Sequence, residues 1–482
     1  MHSQTKPVRA LYRVPPELWA AIFNFLSLDE LVRASGVCNA WRTWALDHPT
    51  FWRRIKLEST SPGHLHLTAR RLTAGRARPV ALDVNLQRCG RMDQPGLEEF
   101  VMRAVGTTVG RATRLALKLH DAHVQRLWSV LSRTPAPLLE YFELRTTDDG
   151  VGTYVPPMPC LPPTLFAQHA PRLARVDLVN VSLPAAPVHA FARATSVGYS
   201  ARLDDPREDE DDDPTEVWHD FPTHLFTVFP ALRNLWLSGG HFRYNANTVP
   251  DTLRARMAGL ASLQLTPTHG WDTLLFLEHF DTKRIPSVAL ETADDPSIQT
   301  LLAQLPGGAP FALCLTPFAR PHTSLNLSMK MNVLARGSAM QRTFIEPLRT
   351  RLLYTLAPLF AVARIPLSMW GRIPHHPSFP NVLTLTIVVD CLSPRDGVLP
   401  VWKLACPKLR LVVFEGMANA KGAYAAVDAR WIDAVMRSVV HDQSVPFSLR
   451  RTRIVGPPKA VAALMQIAKP CALKNDSISA FA

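Results

Sequence analysis

The seven cysteines of this 482-residue sequence, Cys38, Cys89, Cys160, Cys314, Cys391, Cys406 and Cys471, are scattered and include no C-x-x-C pair. An odd, dispersed set argues against a disulfide framework and implies a reducing compartment, cytoplasmic or nuclear. Long apolar runs are also missing. The greasiest stretch, "LLYTLAPLFAV" at 352–362, lies between Arg351 and Arg364 and is too short to span a bilayer. The opening residues, "MHSQTKPVRALYRVPPE", lack the apolar core of a signal peptide, so the expectation is a soluble intracellular protein with no membrane partner. No G-x-S-x-G elbow, P-loop or glycine-rich dinucleotide fingerprint occurs, and neither catalysis nor a cofactor is expected.

What is present is a globular composition, 47% hydrophobic and 19% charged, in a chain too long for one ordinary domain. A small module followed by a large or repetitive unit is the expected plan. The formal net charge is +13, although residues 204–216, "DDPREDEDDDPTE", hold nine acids and one arginine. The remainder is therefore strongly basic, a surface that steers acidic proteins or nucleic acid toward it. No nucleic-acid-binding motif accompanies that charge, so a nucleic-acid partner is not expected. The proline-bounded acidic run cannot bury itself and is expected to be a solvated loop. "HDAH", with His120 and His123, has a spacing seen in metal sites but no nearby thiol, and no metal is expected there.

Residues 14–52 read as three short helices. "VPPELWAAIFNFL" opens on prolines, which suit a first helical turn, with Glu17 at the positive end of the dipole. Ser27 and Glu30 are spaced as a capping box for a second helix, which Gly36 is placed to end. The third is "VCNAWRTWAL". In the first helix Leu18, Ile22, Phe25 and Leu26 form one stripe, and Trp19 and Phe23 an offset second. One such stripe is enough for a small bundle, so the surplus is expected to be buried against a partner.

The run "VPPELWAAIFNFLSLDELVRASGVCNAWRTWALDHPTFWRRI" resembles the F-box motif nearly end to end, departing only in Val14, where leucine is commoner. The resemblance implies docking on the Skp adaptor, and through it cullin, in a ubiquitin ligase. Carried over position by position, Pro15, Leu18, Ile22, Phe23, Leu26, Leu31, Val37, Cys38, Trp41 and Trp52 belong to that interface or its immediate support. Cys38 then serves as a small apolar group. Trp44 is not required by the motif and is expected to pack toward the C-terminal repeats.

Beyond residue 57, short strand patterns alternate with amphipathic helical stretches. Expected strand cores are Leu82, Leu115, Phe142, Val176, Leu235, Leu263, Val288, Leu313, Leu383 and Leu409, mostly 25 to 34 residues apart, with two longer gaps of 59 and 70. "APRLARVDL", "FPALRNLWL", "FPNVLTLTI" and "CPKLRLVVF" share a proline before an apolar strand, which resembles the opening of repeats in leucine-rich-repeat F-box proteins. More loosely, the chain resembles the expanded fungal F-box families.

The expected fold is therefore α+β: a three-helix F-box at 11–57, then an irregular α/β leucine-rich-repeat-like solenoid, or horseshoe, at 58–472. Flexible tails are expected at 1–10 and 473–482. The expected function is a non-catalytic substrate receptor holding an unknown protein target. The alternatives are an adaptor-binding scaffold outside a ligase and a basic nucleic-acid-binding protein. Alternation sends Lys118, Glu143, Asp177, Trp236, Gln264, Glu291, Thr384 and Arg410 outward. Of these, Lys118, Asp177, Trp236, Gln264 and Arg410 are the candidate substrate-binding residues.

Overall fold

The computed structural model describes residues 15–75, 78–86, 96–147, 158–201, 219–239, 242–243, 249–267, 270–291, 295–306, 310–319, 327–335, 338–346, 356–367, 378–390, 404–416, 425–439 and 445–468. The acidic run at 204–216, both expected tails and Val14 lie outside the described residues. The chain divides into two compact units, Met1–Gly240 and His241–Ala482. Among the described residues no helix is long and apolar enough to cross a membrane.

The first unit begins with α1 (Pro16–Phe23), which carries proline in its first turn and Glu17 beside it. The capping box forms at α2 (Leu28–Ala34): Ser27 Oγ accepts from the Glu30 N–H at 3.4 Å, and the Glu30 carboxylate accepts from the Ser27 N–H at 2.8 Å. That backbone bond holds the Glu30 carboxyl below its ordinary range. After α3 (Asn39–Asp47) a fourth short helix, α4 (Pro49–Trp52), joins the expected three. Only Arg53 separates it from β1 (Arg54–Leu57).

The sheet of this unit adds β2 (Val80–Asn85), β3 (Ala112–His120), β4 (Tyr141–Thr147), β5 (Arg175–Val179), β6 (Ser196–Ser200) and β8 (Asn234–Gly239). A two-residue strand, β7 (His219–Asp220), stays outside it. Neighbours pair in that order and all are parallel. Between them run α5 (Pro62–Ala74), α6 (Leu97–Thr108) and α7 (Val124–Leu131). Register aligns Leu82, Leu115, Phe142, Val176, Val197 and Leu235 in one buried row. Five of these are expected strand cores, and among the described residues the 59-residue gap adds one further strand to this sheet, β6, whose Val197 joins the row.

The second unit holds β9 (Phe242–Arg243), β10 (Ser262–Pro267), β11 (Ser287–Glu291), β12 (Phe311–Ala319), β13 (Leu327–Leu334), β14 (Gln341–Glu346), β15 (Phe360–Pro366), β16 (Thr384–Val389) and β17 (Leu411–Gly416). It closes with β18 (Ala425–Asp428), β19 (Phe447–Arg450) and β20 (Thr452–Val455). The sheet order is β10-β11-β14-β13-β12-β15-β16-β17-β19, while β18 and β20 form a separate parallel pair. Strand β13 runs antiparallel to both β12 and β14. A horseshoe with one parallel strand per repeat is therefore not what forms here. A hairpin inserted into a mostly parallel sheet replaces the regular succession in the 70-residue gap.

One local unit recurs across both units. An apolar residue closes a turn, and two strand residues follow at the third and fifth places after it. Leu139, Leu173, Leu232, Val382 and Leu409 each donate their N–H to the carbonyl three residues back, at 3.1 to 3.3 Å. The strand pairs after these turns are Phe142 with Leu144, Val176 with Leu178, Leu235 with Leu237, Leu385 with Ile387, and Val412 with Phe414, all buried. This corrects two expected strand cores. Leu383 and Leu409 precede their strands, and the residues in register are Leu385 and Val412. The closing turn consumes two residues before the extended backbone starts, which moves the inward row along by two and three positions.

Candidate functional site

Two surfaces draw attention. On the first, Trp19, Phe23, Leu31, Ala45 and Phe51 form the core of the N-terminal helices, with Leu26, Leu28, Val32, Trp41, Trp44, Leu46, Trp52 and Leu67 packed partly buried around it. Trp19 stacks on Trp44 at 5.5 Å and meets Trp41 at 5.0 Å, while Phe23 packs edge-on to Trp41 at 5.9 Å. Trp44 thus belongs to this core rather than to the C-terminal sheet. The offset stripe Trp19 and Phe23 faces inward, and the other stripe, apart from the half-buried Leu26, is left in solvent: Leu18 is 55% exposed, Ile22 46% and Phe25 88%, with Val37 at 63%.

The ten motif positions therefore separate. Pro15, Leu18, Ile22 and Val37 are exposed, Leu26, Cys38, Trp41 and Trp52 are half-buried, and Phe23 and Leu31 are buried. Cys38 precedes α3 as its N-cap residue without using its thiol as a cap. Trp52 is engaged locally, its indole N–H donating to the Asp47 carbonyl at 3.1 Å and its ring lying 4.8 Å from the Arg78 guanidinium. Phe25 is the residue the motif comparison passed over. Its place three residues beyond Ile22 on the apolar stripe is the signal that identifies it.

The helices are fastened to the sheet through Arg71 of α5, which is buried and donates to the carbonyls of Phe51 and Arg54. Burial pushes its pKa down to about 10, still far above neutrality, so the guanidinium keeps its charge.

The second surface is the polar face of the sheet in the first unit. Asp83, Glu143, Asp177, Gly198 and Trp236 lie in or beside one cross-strand row. Arg54 and Arg114 both pair with Asp83, at 3.1 and 3.2 Å, and Arg114 also reaches Glu143 at 3.3 Å. Arg145 pairs with Glu143 at 2.7 Å and Arg175 with Asp177 at 2.9 Å. The Tyr141 hydroxyl lies 2.7 Å from Glu143 and 2.6 Å from Asp177, and its ring sits 4.0 Å from the Arg114 guanidinium and 5.4 Å from that of Arg175.

Burial, then the bonds to Asp177 and Glu143, push the Tyr141 pKa up, so this hydroxyl stays a donor. Burial works against the charge on Glu143, yet the bonds from Tyr141 and Arg145 outweigh it and hold the carboxyl below its usual range. Burial likewise opposes the charge on Arg175, and its bonds to Asp177 prevail and raise its pKa. Gly198 is the floor of a notch here. A Cβ at that position would stand 2.6 Å from Asp177 Oδ1 and 3.2 Å from Trp236 Cε3.

Of the candidate substrate-binding residues, Lys118, Asp177 and Trp236 share this face, with Lys118 one row further along opposite Arg145. Gln264 and Arg410 lie in the second unit. Gln264 points away from the buried Leu263 and Leu265 of β10, and Arg410 is exposed just before β17. They are separated there by the intervening strands and form no common site. His120 and His123 also part company: His120 Nδ1 lies 3.4 Å from the Thr147 hydroxyl, and His123 Nδ1 lies 3.1 Å from Glu98. The tyrosine–arginine network was absent from the sequence expectations. Alternation marks Arg114, Tyr141 and Arg175 as outward, but their contact depends on register between strands 27 and 34 residues apart.

Residues 11–58 match the family model described as F-box-like. The chain thus carries an F-box-like domain at its N-terminal end, which supports, at the level of the family, adaptor docking in ubiquitin ligases. Comparison with curated proteins finds no match.

Proposed function

We propose that this chain is a non-catalytic substrate-recognition subunit of a Skp-cullin-F-box ubiquitin ligase, working in the cytoplasm or nucleus. The F-box-like domain docks on the Skp adaptor, the sheet-bearing remainder holds a protein target, and the gain in rate comes from proximity between the target's lysines and the charged ubiquitin carrier. The observation that carries this reading is the solvent-facing set Leu18 and Ile22 of α1 with Phe25 just past its end, beside a second stripe, Trp19 and Phe23, that already fills the module's own core. An apolar set of this size on a small helical module is the anatomy of a docking surface with a few large anchors.

Capture of the purified Skp adaptor by the intact chain tests it. A Leu18→Asp, Ile22→Asp, Phe25→Asp variant is expected to lose capture while keeping its unfolding midpoint. Undiminished capture by that variant would refute the proposed interface. Phe23 is left intact here because it is buried, and an aspartate there would unfold the module whatever the partner.

A further inference from the structure

Six cations, Arg54, Lys56, Arg114, Lys118, Arg145 and Arg175, share the polar face of the first sheet with three carboxylates, Asp83, Glu143 and Asp177, and Lys56 pairs with Glu58 just past β1 at 3.4 Å. A guanidinium presents five N–H donors. Arg54 and Arg175 each spend Nε and Nη2 on a single carboxylate, Arg114 spends the same two atoms on Asp83 and Glu143, and Arg145 spends Nε alone. The Nη1 groups of all four have no partner among the described residues, and these side chains are partly or largely exposed. Donors and positive charge are left over.

The surplus is ordered. Arg54, Arg114 and Arg175 occupy one cross-strand row on alternate strands, β1, β3 and β5, with Ala81 and Tyr141 between them. Neighbouring strands lie ~4.8 Å apart, so successive arginines in this row are spaced by ~9.6 Å. A polyproline-II chain advances ~3.1 Å per residue and repeats every three residues, so side chains three apart share one face at about the same spacing. Tyr141 stacks against two of the three guanidiniums and limits their rotamers, which lowers the entropy lost when they take a ligand.

We infer that this row is a docking surface for an acidic protein segment that lies in a polyproline-II conformation across β1 to β5 with a carboxylate at every third residue. Charge complementarity selects the occupant. The forks take up carboxylates bidentately, and the three carboxylates interleaved between them disfavour a backbone charged at every unit, such as a polyphosphate, more than a segment whose charges are spaced to meet the arginines. This deepens the target-binding half of the function proposed above and relies on it only for calling the partner a target.

Fluorescence anisotropy with the intact chain tests it, using a labelled peptide (Glu-Ser-Thr)3 and an isomer of identical composition with its three glutamates adjacent. The spaced peptide is expected to bind, and the isomer about fivefold more weakly, the upper end for one exposed ion pair. An Arg54→Gln, Arg114→Gln, Arg175→Gln variant is expected to lose tenfold or more. An Arg103→Gln, Arg126→Gln, Arg193→Gln variant, altered by the same charge at exposed sites off this face, is expected to lose nothing. Should the first triple variant fail to fold, Arg54→Gln alone, at the open end of the row, is expected to lose two- to fivefold. Equal affinity for both peptides, or equal losses in both triple variants, overturns the inference in favour of unspecific charge attraction, as does tighter binding of a nine-nucleotide single-stranded DNA. Binding seen only in a chain lacking residues 204–216 overturns it in favour of the chain's own acidic run as occupant. Adaptor capture is measured on the same preparation, so its retention without peptide binding sinks this inference and leaves the adaptor reading standing.

Discussion

Arg71 Nε donates to the carbonyl oxygen of Phe51 at 2.5 Å, from a helix that begins eleven residues after Phe51, which packs in the N-terminal core. The same side chain also serves the Arg54 carbonyl at the start of the sheet. Arg71→Met keeps the apolar stem and strands both buried acceptors, each costing about 1–3 kcal/mol, partly offset by relief of a desolvated charge. A net loss of about 2 kcal/mol is expected in urea unfolding. An unchanged midpoint would show that these bonds contribute nothing.

Phe23 and Phe25 sit two residues apart and have opposite roles, one buried and one in solvent. Phe23→Ala opens a cavity and is expected to cost about 3–5 kcal/mol of stability. Phe25→Asp is expected to shift stability by less than about 0.5 kcal/mol and to reduce adaptor capture. Thermal unfolding and capture measured on both variants separate the two effects, and a Phe25 variant that melts early would contradict this division.

Gly198 has ordinary strand neighbours but no room for a methyl group between Asp177 and Trp236. Gly198→Ala forces one of them aside, at a cost of about 1–3 kcal/mol for an overpacked site. The expected readout is a lower melting temperature, accompanied by a change in tryptophan emission. Neither changing would mean the notch is wider than described.

Acid should act partly through Glu143. Its carboxyl binds a proton less readily in the folded state than in the unfolded chain, so its stabilising contribution is complete above the ordinary glutamate pKa of about 4.3 and is lost as pH falls through the lower folded value. Glu143→Gln is therefore expected to be less stable than the native chain at pH 7 and to lose less on acidification. Parallel urea titrations at pH 7 and pH 3 check this, and an identical acid loss in both proteins would rule it out.

Much of the local structure could be read from the residues alone. Ser27 with Glu30 announced the start of α2, and Leu82, Leu115, Phe142, Val176 and Leu235 announced an aligned row. Such features are written within a few neighbouring residues. The shift at Leu383 and Leu409 escaped because an apolar residue closing a turn looks like the first residue of a strand. The antiparallel β13 escaped too, since "LSMKMNVL" alternates in the same way whichever direction it runs. The Arg114–Tyr141–Arg175 stack depends on which residues become neighbours across strands, a property of register rather than of any one segment. At the N-terminus the two stripes of α1 were visible, but which one faced inward was decided by the indoles of α3.

Only Arg53 lies between the last helix of the F-box-like domain and the edge strand β1, and Arg71 clasps that joint from both sides. A joint one residue long with its carbonyls already bonded leaves no slack for swivelling. The helices and the sheet edge behave as a bracket, so a load applied at Ile22 reaches β1 undiminished. On the function proposed above, a target held by the sheet would be offered at one fixed bearing, and its reachable lysines would be chosen by geometry before any chemistry begins.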